Sequence, residues 1–418
     1  MQIRQNRLRR WILPILLASL VLLGGLLYVN IRFIRSSPLW SEFFTVWNAA
    51  NQWIYQGLNP YSVSVRQQAQ EFLYNRPAVL SSGEHGCQLA IPLPSLLLIF
   101  PFGLLPYELA RALMMSLIEI CLVLSVVVGL NFSEWKPHWS LFIMLAGFSV
   151  LWLPGIQAVV TTNPRILALF FQLLSLVLFK QHRDLAAGFL AGLALTGLGA
   201  VLPLLVYLTI WAVKEKRYSF FSGWLSVAAA ITGISLLILP RWPAFWLRET
   251  LRWLYEEKGF SSLSADLGIF NPFPLPAAAS IAVAALVLVY LFTEWRLSLG
   301  KGASWFQWTA VMTLLLSQLL AVFPNTSLHI LLIPVVCMIL SAGSARWGKS
   351  SAWLSAAMLI FLLAGSWGLL YLGGNIENSF ALIYGPVILL AAGMWWIRWW
   401  KIRGGFSLPM DYIQIPEE

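Results

Sequence analysis

Charged residues are scarce in this chain, and their scarcity excludes several classes of protein. Only 11% of the 418 residues are charged, 17 are acidic, and 59% are hydrophobic. No segment of mixed, charged composition is long enough to fold by itself in water, which argues against two or three soluble domains. Apolar runs of membrane-crossing length recur from end to end, so the sequence predicts an all-α, polytopic helical membrane protein.

Cysteines are also few, and their spacing excludes a zinc site or a disulfide framework. The chain has 3 cysteines, Cys87, Cys121 and Cys337, with no CxxC or metal-type spacing among them. The net charge of +10 comes from short basic clusters beside apolar spans, a pattern that suits anionic lipid headgroups rather than nucleic acid. The lipid bilayer is therefore an expected partner, nucleic acid is not, and no metal or other cofactor is expected.

The basic clusters predict the topology, because Lys and Arg in short loops resist translocation and stay in the cytoplasm. The apolar run 11–33 has no small-residue cleavage site, so we interpret it as a retained first span with a cytoplasmic N-terminus in the cell membrane. Residues 1–418 are predicted to form one integral membrane domain. Its first outer loop (35–88) and second outer loop (241–273) each carry an interfacial helix by the spacing of their apolar residues.

Two stretches interrupt the regular alternation of spans. Residues 89–105 contain prolines that remove backbone donors, which predicts a short or re-entrant piece. Residues 185–213 have basic flanks on both sides but are too short for two crossings of roughly 20 residues each. Two half-helices that meet near residues 196–203 would fit, and one long tilted helix is the alternative. The predicted total is about 11–13 membrane segments, broken or re-entrant helices included.

The segment after the first span is the most informative part of the chain. Between residues 42 and 57, apolar side chains recur at three- and four-residue steps, which predicts a helix in the membrane interface. Residues 57–61 supply turn-forming side chains that end this helix. Ser41 is predicted to cap it and Glu42 to lie in its first turn. An acid there is favoured by the helix dipole, which gives Glu42 a purely structural explanation.

Motifs along the chain nevertheless resemble those of one enzyme family. The order of span, acid-Phe, aromatic-Ala-Ala and Gly-x-x-Pro-Tyr in the first outer loop is similar to the opening of the GT-C membrane glycosyltransferases. The closest resemblance is to glycosyltransferase family 87, whose members depend on polyprenyl-phosphate mannose. Further segments that resemble the family's proline-rich, Gly-Gln-x-Asn, Ala-Gly-rich and Ser-Pro motifs are residues 91–106, 155–163, 184–195 and 323–329.

The resemblance implies an inverting transferase that takes a sugar, with mannose as one candidate, from a polyprenyl-phosphate donor. The sugar would pass to a lipid or glycan acceptor on the outer face of the membrane. Glu42 stands at the position of the family's general base, where glutamate replaces the usual aspartate and adds one methylene. The residues expected at the donor or acceptor are Asn59, Tyr61, Gln157, Asn163, Arg165 and His329, the last two by topology.

One departure from the family pattern keeps other functions open. The family's broken helix pair often carries a lysine before its proline to neutralise the donor phosphate, whereas residues 199–203 include no basic residue. Arg165 and His329 are the nearest substitutes for this lysine by topology. The alternative is that Arg165 is a snorkelling residue and His329 an interfacial hydrogen-bonding residue, neither of which contacts the donor. A transporter or flippase for lipid-linked sugars, or an inactive member of the fold, therefore stands beside the transferase as an alternative.

Overall fold

The computed structural model of the chain describes residues 2–36, 41–82, 84–197, 201–257, 277–320, 326–373 and 380–404. Within these ranges the chain forms 17 α-helices and several short 3₁₀ turns, and no strand. The helices are α1 Gln2–Ser36, α2 Glu42–Gln56, α3 Val63–Tyr74, α4 Leu93–Ile99, α5 Tyr107–Phe132, α6 Trp139–Leu151, α7 Leu153–Val160, α8 Arg165–Lys180, α9 Asp184–Ala194, α10 Leu202–Lys214, α11 Ser219–Ile238, α12 Trp242–Glu257, α13 Ala277–Ser298, α14 Ala303–Ser317, α15 Ile333–Trp347, α16 Ser351–Gly373 and α17 Phe380–Gly404.

Six helical segments in the described part of the chain are long and apolar enough to cross a membrane, and a bent pair, α6 with α7, raises the number to seven. The polytopic all-α membrane fold predicted from composition is therefore confirmed. The predicted total of segments also counts shorter pieces, of which the described residues include Leu93–Leu104, Asp184–Gly197 and Leu202–Lys214. The six candidate spans are Ser19–Ser36, Tyr107–Phe132, Ser219–Ile238, Thr326–Trp347, Ser351–Leu372 and Ala381–Trp399.

The bend between α6 and α7 has a local cause. The two helices meet at 52°, and Trp152 between them has a non-helical backbone. Pro154 has no amide hydrogen with which to continue the helical hydrogen bonds. A Cβ on Gly155 would lie 2.3 Å from the carbonyl oxygen of Ser149, so only glycine allows this close turn. The bend directs α7 towards the turn at residues 161–164, which forms part of the candidate site.

The proline-rich stretch 89–105 is short, as its sequence predicts. It contains only α4 and the 3₁₀ turn Phe100–Leu104, which together are too short for a full crossing.

Residues 184–214 form two helices, so the alternative of one long tilted helix is wrong. α9 continues into the 3₁₀ turn Leu195–Gly197, and α10 begins at Leu202 with Pro203 in its first turn. Residues 198–200, part of the predicted apex, lie outside the described residues.

Carbonyl groups on both sides of this break receive hydrogen bonds from neighbouring helices. The Ser95 hydroxyl of α4 donates to the Thr196 carbonyl at 2.7 Å, and the Gln172 amide of α8 donates to the Val201 carbonyl at 2.8 Å. Backbone groups at membrane depth must be satisfied by protein or by a water-filled cavity. At these two carbonyls the protein itself satisfies them.

The helix expected after the first span is α2, and its first part packs inside the protein. Its residues from Phe43 to Ala50 are buried except for Thr45. The Trp47 indole donates to the Leu105 carbonyl at 3.0 Å, so the ring is tied to protein. Gly57 ends the helix in the left-handed conformation, with φ of +66°.

Glycines let α9 and α11 cross at backbone contact. A Cβ on Gly188 would lie 2.1 Å from the Phe220 carbonyl oxygen, and a Cβ on Gly223 would lie 2.5 Å from the Leu185 carbonyl oxygen. Small residues allow membrane helices to approach this closely. The Ala-Gly-rich motif at residues 184–195 therefore has a packing role.

Candidate active site

Glu42 lies where the first outer loop meets the turn after α7. Its backbone N–H donates to the Thr161 carbonyl at 2.9 Å, and its side chain is half-buried. Ser41 occupies the N-cap position with an extended backbone but makes no side-chain cap hydrogen bond. Its hydroxyl instead pairs with the Tyr107 hydroxyl of α5 at 2.9 Å. Ser41 thus occupies the predicted cap position, but its hydroxyl contacts a tertiary partner and not the N–H groups of the helix.

Of the sequence-predicted residues, Gln157 lies on α7 and Asn163 lies in the turn between α7 and α8. The buried Asn163 donates from its side-chain amide to the Ser327 hydroxyl at 3.0 Å, and its side-chain oxygen accepts the Arg165 N–H at 3.0 Å. The Gln157 side-chain oxygen accepts a hydrogen bond from the Thr326 hydroxyl. These bonds join the turn to residues 326–327, so three distant parts of the chain meet beside the first turn of α2.

Thr162, next to the residue that receives the Glu42 N–H, has a strained backbone. Its φ is +52°, a conformation that β-branched residues rarely adopt. Such outliers persist only where surrounding contacts impose them, and they cluster at functional sites. The Thr162 hydroxyl is held between the Val159 carbonyl and the Arg111 guanidinium, at 3.3 Å from each.

Arg111 of α5 is a residue of this site that the sequence interpretation missed. Its side chain is only 1% exposed. Its Nε donates to the Thr162 hydroxyl, and its Nη2 donates to the Val160 carbonyl at 3.2 Å. A charge inside an apolar helix is costly and marks a functional or structural partner, which is the signal that could have identified it. Arg111 braces the turn on which Glu42 rests.

The two predicted substitutes for the family lysine have different surroundings. Arg165 is the first residue of α8 and is half-buried. His329 is 2% exposed and stacks on Trp152, with ring centroids 5.6 Å apart. The structure thus places His329 inside the protein, three residues after the Thr326 hydroxyl that bonds Gln157.

The hydrogen bonding of His329 fixes its tautomer. Nε2 lies 2.9 Å from the Ile383 carbonyl oxygen, and since a carbonyl only accepts, Nε2 carries the hydrogen. The second ring nitrogen, Nδ1, is buried without a hydrogen-bond partner in the described part of the protein. Buried polar atoms are normally paired, so Nδ1 is a candidate contact for a bound molecule.

Asn59 and Tyr61 lie in a different part of the first outer loop. The Asn59 side-chain oxygen accepts the Tyr61 N–H at 3.0 Å, which closes the turn after α2. The Tyr61 side chain is 1% exposed, its hydroxyl donates to the Ile91 carbonyl at 2.9 Å, and burial raises its pKa. These contacts fasten the outer loop to the segment before α4. They do not bring either side chain to the turn at residues 157–165.

The helix of the second outer loop, α12, packs on the first outer loop through a charged cluster. Glu249 is 3% exposed and lies 3.6 Å from Arg66 of α3 and 3.1 Å from Arg252. The Trp246 indole donates to the Ala90 carbonyl at 3.2 Å. Residues 258–273 of this predicted loop lie outside the described residues. The cluster holds the two outer segments together.

No group of three or more metal-ligating side chains stands together among the described residues. The chemical groups at the site are a half-buried carboxylate, a buried imidazole and guanidinium groups. Such a set can remove a proton at one end and stabilise negative charge at the other.

The comparisons with known proteins agree with this chemistry. The model of glycosyltransferase family 87 matches residues 92–321, more than half of the chain. The match includes Gln157, Asn163 and Arg165, whereas Glu42 and His329 lie outside it. No curated protein and no solved structure matches the chain. The chain belongs to glycosyltransferase family 87 and is a glycosyltransferase with several membrane-spanning helices.

Proposed function

We propose that this enzyme transfers a sugar, with mannose as the first candidate, from a polyprenyl-phosphate donor to a lipid or glycan acceptor. The reaction takes place on the outer face of the cell membrane, and the N-terminus is cytoplasmic. The observation that carries the proposal is the hydrogen bond between the Glu42 N–H and the Thr161 carbonyl. It seats a carboxylate from the first outer loop on the turn that contains the family-matched residue Asn163.

In the proposed reaction, the Glu42 carboxylate takes the proton from an acceptor hydroxyl as its oxygen attacks the anomeric carbon of the sugar. The new glycosidic bond forms as the bond between that carbon and the phosphate oxygen breaks. Polyprenyl phosphate leaves with the electron pair, and the attack from the opposite side inverts the anomeric configuration. General-base assistance of this kind is worth about 10²–10⁴ in rate.

The leaving phosphate needs a positive or hydrogen-bonding partner, since the family lysine is missing. His329 suits this role because its buried Nδ1 has no partner in the described part of the chain. Protonated, it would donate to a phosphate oxygen; neutral, it would accept from a sugar hydroxyl. Arg165, half-buried at the start of α8, is the second candidate. Arg111 acts through the Thr162 turn, because its guanidinium donates to the Thr162 hydroxyl.

The decisive experiment is reconstitution in lipid with labelled polyprenyl-phosphate sugars and a mixture of acceptors. Glu42→Gln keeps the size of the side chain and removes the base, so transfer should fall at least a hundredfold. Glu42→Asp tests the added methylene. The matched control is Glu71→Gln, which changes an exposed glutamate of α3 in the same outer loop.

Each outcome of this experiment decides between functions. Transfer that is lost in Glu42→Gln and kept in Glu71→Gln supports the proposal. Equal transfer by wild type and Glu42→Gln rejects Glu42 as the base. Donor translocation without transfer indicates a carrier, and absence of both activities with every donor indicates an inactive member of the family; either result overturns the proposed reaction.

A further inference from the structure

A groove opens between α15, α16 and α17. Its volume is about 350 Å³, and most of its wall is apolar, including Leu340, Leu354 and Met358. None of the described residues that line it is acidic. An apolar groove of this size suits a flexible hydrocarbon chain.

Small residues create the space where α15 turns into α16. Gly343, Ser351 and Ser355 line the groove and contribute little volume. A Cβ on Gly343 would lie 3.1 Å from the Trp347 ring, so the indole leans closely over this position. Gly348 makes the turn with φ of +54°, and its carbonyl accepts the Ser351 hydroxyl at 2.6 Å. The groove is thus part of the turn geometry itself.

One end of the groove has an aromatic wall with a positive charge against it. The rings of Trp347 and Trp396 stack with centroids 5.4 Å apart and an interplanar angle of 20°. The Arg346 guanidinium carbon lies 5.7 Å from the centroid of each ring. These distances place the guanidinium beside the two indole rings that line the groove, within the range of a cation–π interaction.

The position along the helices gives the depth in the membrane. Arg346 and Trp347 end the candidate span Thr326–Trp347, and the next candidate span begins at Ser351. The charged end of the groove therefore lies at the boundary between membrane and water, where Trp and Arg side chains are favoured. Leu354, which is 49% exposed, lies one turn deeper on the apolar side. The groove combines a headgroup position with a position for a hydrocarbon chain.

We propose that this groove binds one glycerophospholipid with an anionic headgroup. Its phosphate pairs with Arg346, and one acyl chain lies between the indole wall and the side chains of Leu354 and Met358. The positive charge beside the groove and the apolar wall of the groove both complement such a lipid. The proposal is independent of sugar transfer, because none of its residues belongs to the candidate active site.

The test is native mass spectrometry of the purified chain, equilibrated with equal amounts of phosphatidylglycerol and phosphatidylcholine. The wild type should retain one phosphatidylglycerol. Arg346→Gln should lower the preference for the anionic lipid about fivefold, since one basic side chain near a membrane surface contributes an attraction of that size. Ser355→Trp should fill the groove and displace the lipid. Trp396→Ala should also lose the lipid. The control Trp395→Ala should keep the lipid, because this adjacent tryptophan is 59% exposed and does not line the groove.

Thermal unfolding in the same detergent shows which variants are folded, and only folded variants are compared. Arg346→Gln changes an exposed side chain. Retention of equal amounts of the two lipids by the wild type would overturn the proposal. So would an unchanged lipid preference in Arg346→Gln, or tight retention of polyprenyl phosphate in place of phospholipid when both are supplied.

Discussion

Replacement of Arg111 by methionine tests whether the turn beneath Glu42 controls both stability and activity. Methionine keeps an unbranched side chain in the same space but removes the guanidinium. The variant loses the hydrogen bonds to the Thr162 hydroxyl and the Val160 carbonyl. Thr162, with φ of +52°, then loses a contact that maintains its unusual backbone conformation.

The expected loss of stability follows from these contacts. A hydrogen bond from a charged donor contributes about 1.5–3 kcal/mol, and the variant loses two of them. The variant also no longer has to bury a charge, and this gain offsets part of the loss. We therefore expect the free energy of unfolding to fall by about 3 kcal/mol. Relaxation of the turn would also move the carboxylate of Glu42, and a displacement near 1 Å costs about a hundredfold in rate.

Two measurements separate these effects. Denaturant titration in detergent gives the free energy of unfolding, and labelled-donor transfer gives kcat/KM for the folded fraction. The control is Arg35→Gln, because Arg35 pairs with Glu108 at 3.6 Å with both side chains more than half exposed. Such pairs contribute about 0–1 kcal/mol. If Arg111→Met is as stable as this control, the bracing role is wrong; if it is unstable but transfers at the normal rate once folded, the turn does not position Glu42.

Two further predictions concern the helix crossing and the first outer loop. Gly188→Ala should destabilise the protein by about 1–3 kcal/mol in the same denaturant titration, because the added Cβ would meet the Phe220 carbonyl oxygen. The control is Gly233→Ala on α11, which has open space around it and should be neutral or stabilising. Hydrogen bonds from Arg76 and from the Val79 N–H lower the pKa of Glu84 in the folded loop. This carboxylate therefore stabilises the loop above the ordinary glutamate pKa of about 4.3. The stabilisation is lost as the pH falls through the lower pKa of the folded protein. Hydrogen exchange of residues 76–82, corrected for the intrinsic rate, should therefore speed up below about pH 4 in the wild type and be fast at every pH in Glu84→Gln; a pH-independent wild-type profile would contradict this.

The sequence predicts the fold class well because the bilayer leaves few choices. Long apolar runs must be helical in lipid, since every backbone group needs a partner within its own segment. Proline and glycine positions also locate the breaks, as in the two-helix arrangement of residues 184–214. What periodicity does not give is the surroundings of a helix. The amphipathic pattern of α2 suits a membrane surface, but it does not predict the tertiary contacts, such as the Trp47 hydrogen bond to Leu105, that bury the first part of the helix.

The site was predictable only where local motifs mark it. Gln157 and Asn163 belong to a recognisable turn, and the structure brings that turn to Glu42. Arg111 is separated from Thr162 by 51 residues, and no local spacing predicts their contact. Glu249 is likewise buried by arginines that include Arg66, far away in sequence. Side-chain partners of this kind follow from packing between helices, which a single sequence does not specify.

The position of Glu42 is determined by parts of the chain that the family model matches, although Glu42 itself precedes the match. The Ser41 hydroxyl pairs with Tyr107, the Glu42 N–H donates to Thr161, and the Trp47 indole donates to Leu105. All three partners lie within residues 92–321. The matched region thus builds the seat for the first turn of α2, and the first outer loop supplies the carboxylate. Because the backbone is fixed at three points, the additional methylene of glutamate can be accommodated only by the side chain, so Glu42→Asp measures the tolerance of the reaction to reach alone.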